Sequence, residues 1–165
     1  MKRLALLLVA VLLLAAPASA FSFRWKVHKL PFTLILVSEL DDPTLQALTE
    51  ISAAEWSESS VVDLVFGDPV KRKPFVRIVD GAYGPTWNGL TSISNERGYI
   101  TAVTIYLNTD NLDGAADFFK QNTICQEIGH ALGLDHREGD SCMGTNASNI
   151  SPDAVDFANL EALYG

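Results

Sequence analysis

Cys125-Gln126-Glu127-Ile128-Gly129-His130-Ala131-Leu132-Gly133-Leu134-Asp135-His136 contains two of the three histidines in the chain and reads as the last turns of a helix followed by a return. Residues four apart share one face of an α-helix, so Gln126 and His130 project side by side with Glu127 next to them. Gly133 tolerates the left-handed backbone that closes helices, so it marks the helix end and turns the chain. His136 then approaches the same point from outside the helix. Two imidazoles, an amide and a carboxylate converge on one place. Three side-chain ligands, one open position and a base beside it make up the arrangement that catalytic zinc requires.

The stretch resembles the metzincins, whose motif is H-E-x-x-H-x-x-G-x-x-H followed by a turn that carries a methionine. Gln126 stands at the first His position, Glu127 at the general base, His130 at the second ligand, Gly133 at the turn glycine and His136 at the third ligand. Ser141-Cys142-Met143-Gly144 follows at a distance suited to the Met-turn, with Met143 as its methionine. The likeness extends outward in the manner of matrixin-type members. Ala53-Ala54-Glu55-Trp56-Ser57 looks like the end of their backing helix, Gly98 to Asn108 like the strand before the active-site helix, and Leu160 to Gly165 like their last helix. The resemblance implies an α+β zincin-like fold: a twisted, mostly parallel mixed sheet with a backing helix, an active-site helix, a Met-turn and a C-terminal helix. It also implies a Zn2+-dependent endopeptidase acting on peptide or protein substrates.

Gln126 departs from that pattern. An amide oxygen is a weaker donor to zinc than an imidazole nitrogen. Three readings stay open: the amide serves as a ligand; His130 and His136 hold a loosely bound metal with water or substrate completing the shell; or the metal is absent and the domain is an inactive relative that binds peptides. Glu127 favours chemistry, because a base has no duty in a dead site. His28, the remaining histidine, falls on an early strand pattern and reads as an exposed strand residue.

Outward from the motif, the chain divides into strands and then helices. Phe21 to His28, Phe32 to Val37, Val61 to Phe66, Phe75 to Val79, Gly89 to Ile93 and Tyr99 to Leu107 are rich in branched and aromatic residues and bounded by turn formers. Asp41-Asp42-Pro43 starts a helix whose apolar positions Leu45, Leu48, Ile51, Ala54 and Trp56 predict its buried face. Asn108 to Asp113 reads as a polar loop before the motif helix. Ser151-Pro152-Asp153 caps a closing helix with Val155, Phe157, Leu160 and Leu163 as its apolar positions. Strands grouped ahead of helices, without regular alternation, indicate an α+β domain.

At the start, Met1-Lys2-Arg3, an apolar run from Leu4 to Ala16 and the small-x-small ending Ala18-Ser19-Ala20 form the three regions of a secretory signal peptide. Cleavage before Phe21 leaves one domain over residues 21 to 165. The apolar run is short of the roughly 20 residues needed to span a bilayer. With a formal charge of -8 in the full chain, and more negative once Lys2 and Arg3 are removed, nucleic acid and anionic membranes are poor partners. The expectation is a secreted monomer, extracellular or periplasmic.

Cys125 and Cys142 are the two cysteines, and export places them where disulfides persist. A bridge is the default reading, with two buried free thiols as the other, since spacing does not show that the side chains meet. Bridged, the pair would staple the active-site helix to the Met-turn and stabilise the fold by about 3 kcal/mol on a chain-entropy argument.

Overall fold

The computed structural model describes residues 23–71, 73–145 and 149–165. The signal peptide reading lies outside the described residues.

Among the described residues, six strands form one sheet. They are β1 (Arg24–Trp25), β2 (Phe32–Glu39), β3 (Val62–Phe66), β4 (Phe75–Gly81), β5 (Gly89–Glu96) and β6 (Tyr99–Asn108). The order β1-β6-β4-β2-β3 is parallel throughout, and β5 adds antiparallel to β6. Arg97 and Gly98, with φ of 54° and 83°, make the two-residue turn between β5 and β6. Positive φ at both central positions matches the twist of a tight hairpin. The sheet is therefore mixed and mostly parallel, as the resemblance implies.

The first strand is shorter than the alternation over Phe21 to His28 predicts. β4 occupies β6 from Val103 onward, so β1 is left only Tyr99 and Ile100 to pair with. His28 accordingly sits in a bend, exposed, rather than on a strand.

The helices are α1 (Pro43–Trp56), α2 (Thr109–Leu112), α3 (Asp117–Ala131) and α4 (Ala154–Tyr164). Asp42 caps α1 by accepting from the Thr44 amide at 2.6 Å, and Pro43 opens the first turn as its pre-set φ suits. The buried face of α1 differs from the predicted one: Leu45, Leu48, Thr49, Ser52, Ala53 and Trp56 point inward, while Ile51 is 47% exposed. Of its two hydroxyl residues, Thr49 returns its hydroxyl to the Leu45 carbonyl at 2.7 Å, which makes it apolar in effect, while the Ser52 hydroxyl is buried without a partner. The polar stretch after β6 also holds structure: Asn108 caps α2 through the Asp110 amide at 3.2 Å, and Leu112 is fully buried. In α4 the inward positions are Asp156, Leu160, Leu163 and Tyr164, and Val155 faces solvent.

The backing helix α1 packs against α3, and α3 lies along β5 and β6. Trp56, at the end of α1 and fully buried, joins the two helices by donating its indole N–H to the Cys125 carbonyl at 3.0 Å. That bond sets α3 at a fixed depth against the core. The cleft lies on the other side of α3, under β5.

Candidate metal centre

The C-terminal end of α3 is tied down carbonyl by carbonyl. The Leu132 amide reaches the Ile128 and Gly129 carbonyls, the Gly133 amide reaches His130 at 2.9 Å, and the Leu134 amide reaches Gly129 at 3.1 Å. The last two bonds are those of a Schellman closure, with Gly133 at φ 95° in the position that favours glycine. A Cβ at Gly133 would run into the Phe23 carbonyl. The two carbonyls left over are claimed from both ends of the chain: Trp25 Nε1 donates to Ala131 at 2.9 Å and the Tyr164 hydroxyl to Leu132 at 2.7 Å. Burial raises the Tyr164 phenol well above its usual range, so it stays a donor.

Beyond this closure the chain returns, and His136 Nε2 lies 2.8 Å from His130 Nε2 with the rings stacked. The Leu134 carbonyl lies 2.8 Å from His130 Nδ1. A carbonyl only accepts, so it fixes His130 as the Nδ1–H tautomer and leaves the Nε2 lone pair facing the shared point. Burial lowers the pKa of His130, opposed by the Leu134 bond and by Asp135; burial and the adjacent His130 lower that of His136. Both rings are thereby held toward the neutral form that binds cations.

Glu127 is buried beside them. Burial raises its pKa, opposed by the Thr91 hydroxyl, which sits 2.6 Å from Oε2, and by His136. Alternation along β5 turns Gly89 and Thr91 toward α3, and Gly89 makes room for the carboxylate. A Cβ at Gly89 would come within 2.6 Å of Glu127 Cγ and 2.8 Å of Oε1. Gln126 directs Nε2 to the Cys142 carbonyl at 3.2 Å, which leaves Oε1 as the end available to the cavity it shares with both histidines.

Met143 is fully buried. Glycine at 129, in the last turn of α3, is explained by it: a Cβ there would run into Met143 Sδ and come within 2.8 Å of Trp56 Cζ2. Cys125 and Cys142 form a disulfide with Cα atoms 5.9 Å apart, so the bridged reading holds. Arg137, next to His136, exchanges backbone bonds with Met143 and Thr145 and pairs with Asp153 and the buried Asp156 at the start of α4. The returning loop is thus fixed from both sides.

Gln126, Glu127, His130, Gly133 and His136 all line one cavity of about 490 Å³, whose apolar walls include Phe23, Leu90, Ile93 and Leu134. Among the described residues no three His, Cys, Asp or Glu side chains form a metal-holding group; the third ligand candidate here is an amide. Two neutral imidazole nitrogens with one amide oxygen nonetheless fit zinc, which accepts both nitrogen and oxygen donors. His28, in the bend after β1, is not among the residues lining that cavity. Thr91, Gly89 and Arg137 escaped the sequence reading. Only Gly89, a glycine at the start of a strand, carried a signal, since such glycines mark close approaches.

A mostly parallel sheet with one antiparallel edge strand, a helix stopped at a glycine and a methionine-bearing turn after it make up a zincin/metzincin-like fold. Two structures of myroilysin share that fold. One aligns over 88% of this chain and 97% of its own, with a TM-score of 0.60 and 13% identity. The other aligns over 87% and 86%, with a TM-score of 0.57 and 14% identity. No protein-family model and no curated protein sequence matches the chain.

Proposed function

We propose that the protein is a secreted zinc endopeptidase, made with a leader over residues 1–20 and acting as a monomeric domain over 21–165. The observation that carries this reading is the convergence of His130 Nε2 and His136 Nε2, 2.8 Å apart, in the cavity that also holds Glu127. His130, His136 and Gln126 Oε1 would hold the ion, whose role when bound is Lewis acidity toward the scissile carbonyl and the attacking water. Thr91 occupies Oε2 of Glu127, so proton transfer falls to the other oxygen: it takes a proton from the water and passes it to the leaving amine. A carboxylate whose pKa is raised by burial suits that exchange better than an ordinary one. β5 pairs with β6 along one side only, and its other side borders the cavity. An extended peptide adds there as a further strand, near Leu90 to Ile93, with its scissile bond over the histidines. The disulfide supports export, and the negative charge argues against nucleic acid as a partner.

Purified protein over 21–165 tests the reading. Zinc near one equivalent under trace-metal conditions, with peptide hydrolysis that is lost in Glu127→Ala, is the expected result. Absence of zinc together with unchanged hydrolysis in that variant would overturn it. Peptide binding without turnover would leave the inactive binding domain in its place.

A further inference from the structure

The three side chains proposed to hold zinc, Gln126, His130 and His136, all lie between Cys125 and Cys142, inside one covalently closed loop. His130 is oriented by the Leu134 carbonyl and the helix end, and Arg137 beside His136 is held to the start of α4 as well as to Met143, so the histidines depend less on that closure. Gln126 differs. An amide has two ends of nearly equal size and opposite chemistry, and only the oxygen can meet a cation. A neighbour must select the end. The Cys142 carbonyl does so: it only accepts, and it lies 3.2 Å from Nε2. This carbonyl is itself held in place, because Cys142 is fully buried, its amide donates to the Ser151 carbonyl at 3.0 Å, and its side chain is bonded to the residue just before Gln126.

We propose that the Cys125–Cys142 disulfide is a positioning element of the metal centre: it keeps the Cys142 carbonyl against Gln126 Nε2 and so presents Oε1 to zinc. This rests on the reading of Gln126 as a ligand. The disulfide touches neither zinc nor substrate; it acts through the amide. A residue able to bind zinc only in one of two flipped orientations gains most from such a restraint, so here the bridge sets metal affinity as well as stability.

The test is a double-mutant cycle read as zinc affinity, measured by competition with a chromophoric chelator. Removing the bridge with Cys125→Ala and Cys142→Ala is expected to weaken binding by about 10- to 100-fold, the usual scale for groups that orient a ligand. In a Gln126→Ala background the same change should alter affinity by less than about threefold, because the amide it acts on is gone. Equal losses in both backgrounds would mean that the bridge supports the histidines or the fold at large, and would overturn this inference alone. Failure of the intact protein to bind zinc would overturn the metal reading and this inference with it. Should the bridgeless protein not fold, the side-chain amide protons of Gln126 in the intact zinc-free protein carry the same claim. The proton bonded to the Cys142 carbonyl should be shifted from its free-glutamine position and exchange slowly with solvent, and both effects should be lost on reduction of the bridge; a signal like that of a free glutamine, or one unchanged by reduction, would contradict the proposal.

Discussion

The two halves of the candidate centre are built differently. The histidine half is fixed by backbone: a Schellman closure, Trp25 and Tyr164 on the last carbonyls, and Arg137 holding the return to α4. The Gln126–Glu127 half is held by single side-chain bonds, one to Cys142 and one to Thr91. The difference teaches where fold ends and chemistry begins. Changes in the first half should cost stability and metal together, and changes in the second should alter chemistry while leaving the domain folded.

Glu127→Gln gives the largest contrast. Removing the general base should lower kcat/KM by about 10²–10⁴-fold. Burial raises the pKa of this carboxyl, so its charged form is penalised in the folded state and the neutral amide should be more stable. The sign follows from linkage: a raised folded pKa means the penalty is complete above that pKa and disappears as pH falls below the unfolded value. The melting temperature of zinc-free Glu127→Gln should therefore exceed that of the parent at neutral pH, with the gap closing in acid. A variant less stable than the parent at neutral pH would show that the carboxylate is not disfavoured in place.

Gly133→Ala tests the backbone half. The positive φ and the blocked Cβ predict a loss of about 2 kcal/mol or more in urea unfolding, with zinc affinity falling alongside it. Full stability would mean that the closure is not what delivers His136. Gln126→His replaces the amide by a better donor, and should tighten zinc by about tenfold or more with little change in melting temperature. Unchanged affinity would show that position 126 does not face the ion. Thr91→Val is the mildest change. Loss of one hydrogen bond of about 1 kcal/mol should lower kcat/KM several-fold. Because that bond holds the Glu127 pKa down, its loss should also move the acid limb of the pH profile upward.

The backbone half was legible in the sequence because its signals are local. A helix face at i and i+4, a closing glycine and a histidine three residues later are all neighbours along the chain, as are Asp42 and Pro43 at the start of α1. The resemblance to metzincins added the Met-turn and the expected mostly parallel mixed sheet, which the strand pairing matches. What stayed hidden is non-local. Thr91 and Gly89 reach Glu127 from a strand more than thirty residues earlier. Thr49 and Ser52 sit in the core face of α1 because the surrounding fold covers them, which apolar periodicity does not register. Val155 is turned outward because Asp156 must face Arg137, a partner that the helix pattern alone does not reveal. The short β1 results from competition with β4 for one edge of β6.

X-ray absorption at the zinc edge of the loaded 21–165 protein addresses most directly whether two imidazoles and the Gln126 amide gather on one ion. The expected spectrum has two imidazole nitrogens and oxygen donors at about 2.0–2.2 Å, with a third imidazole in place of one oxygen in Gln126→His. A spectrum lacking the imidazole pair, or one that gains no third imidazole in that variant, would contradict the account.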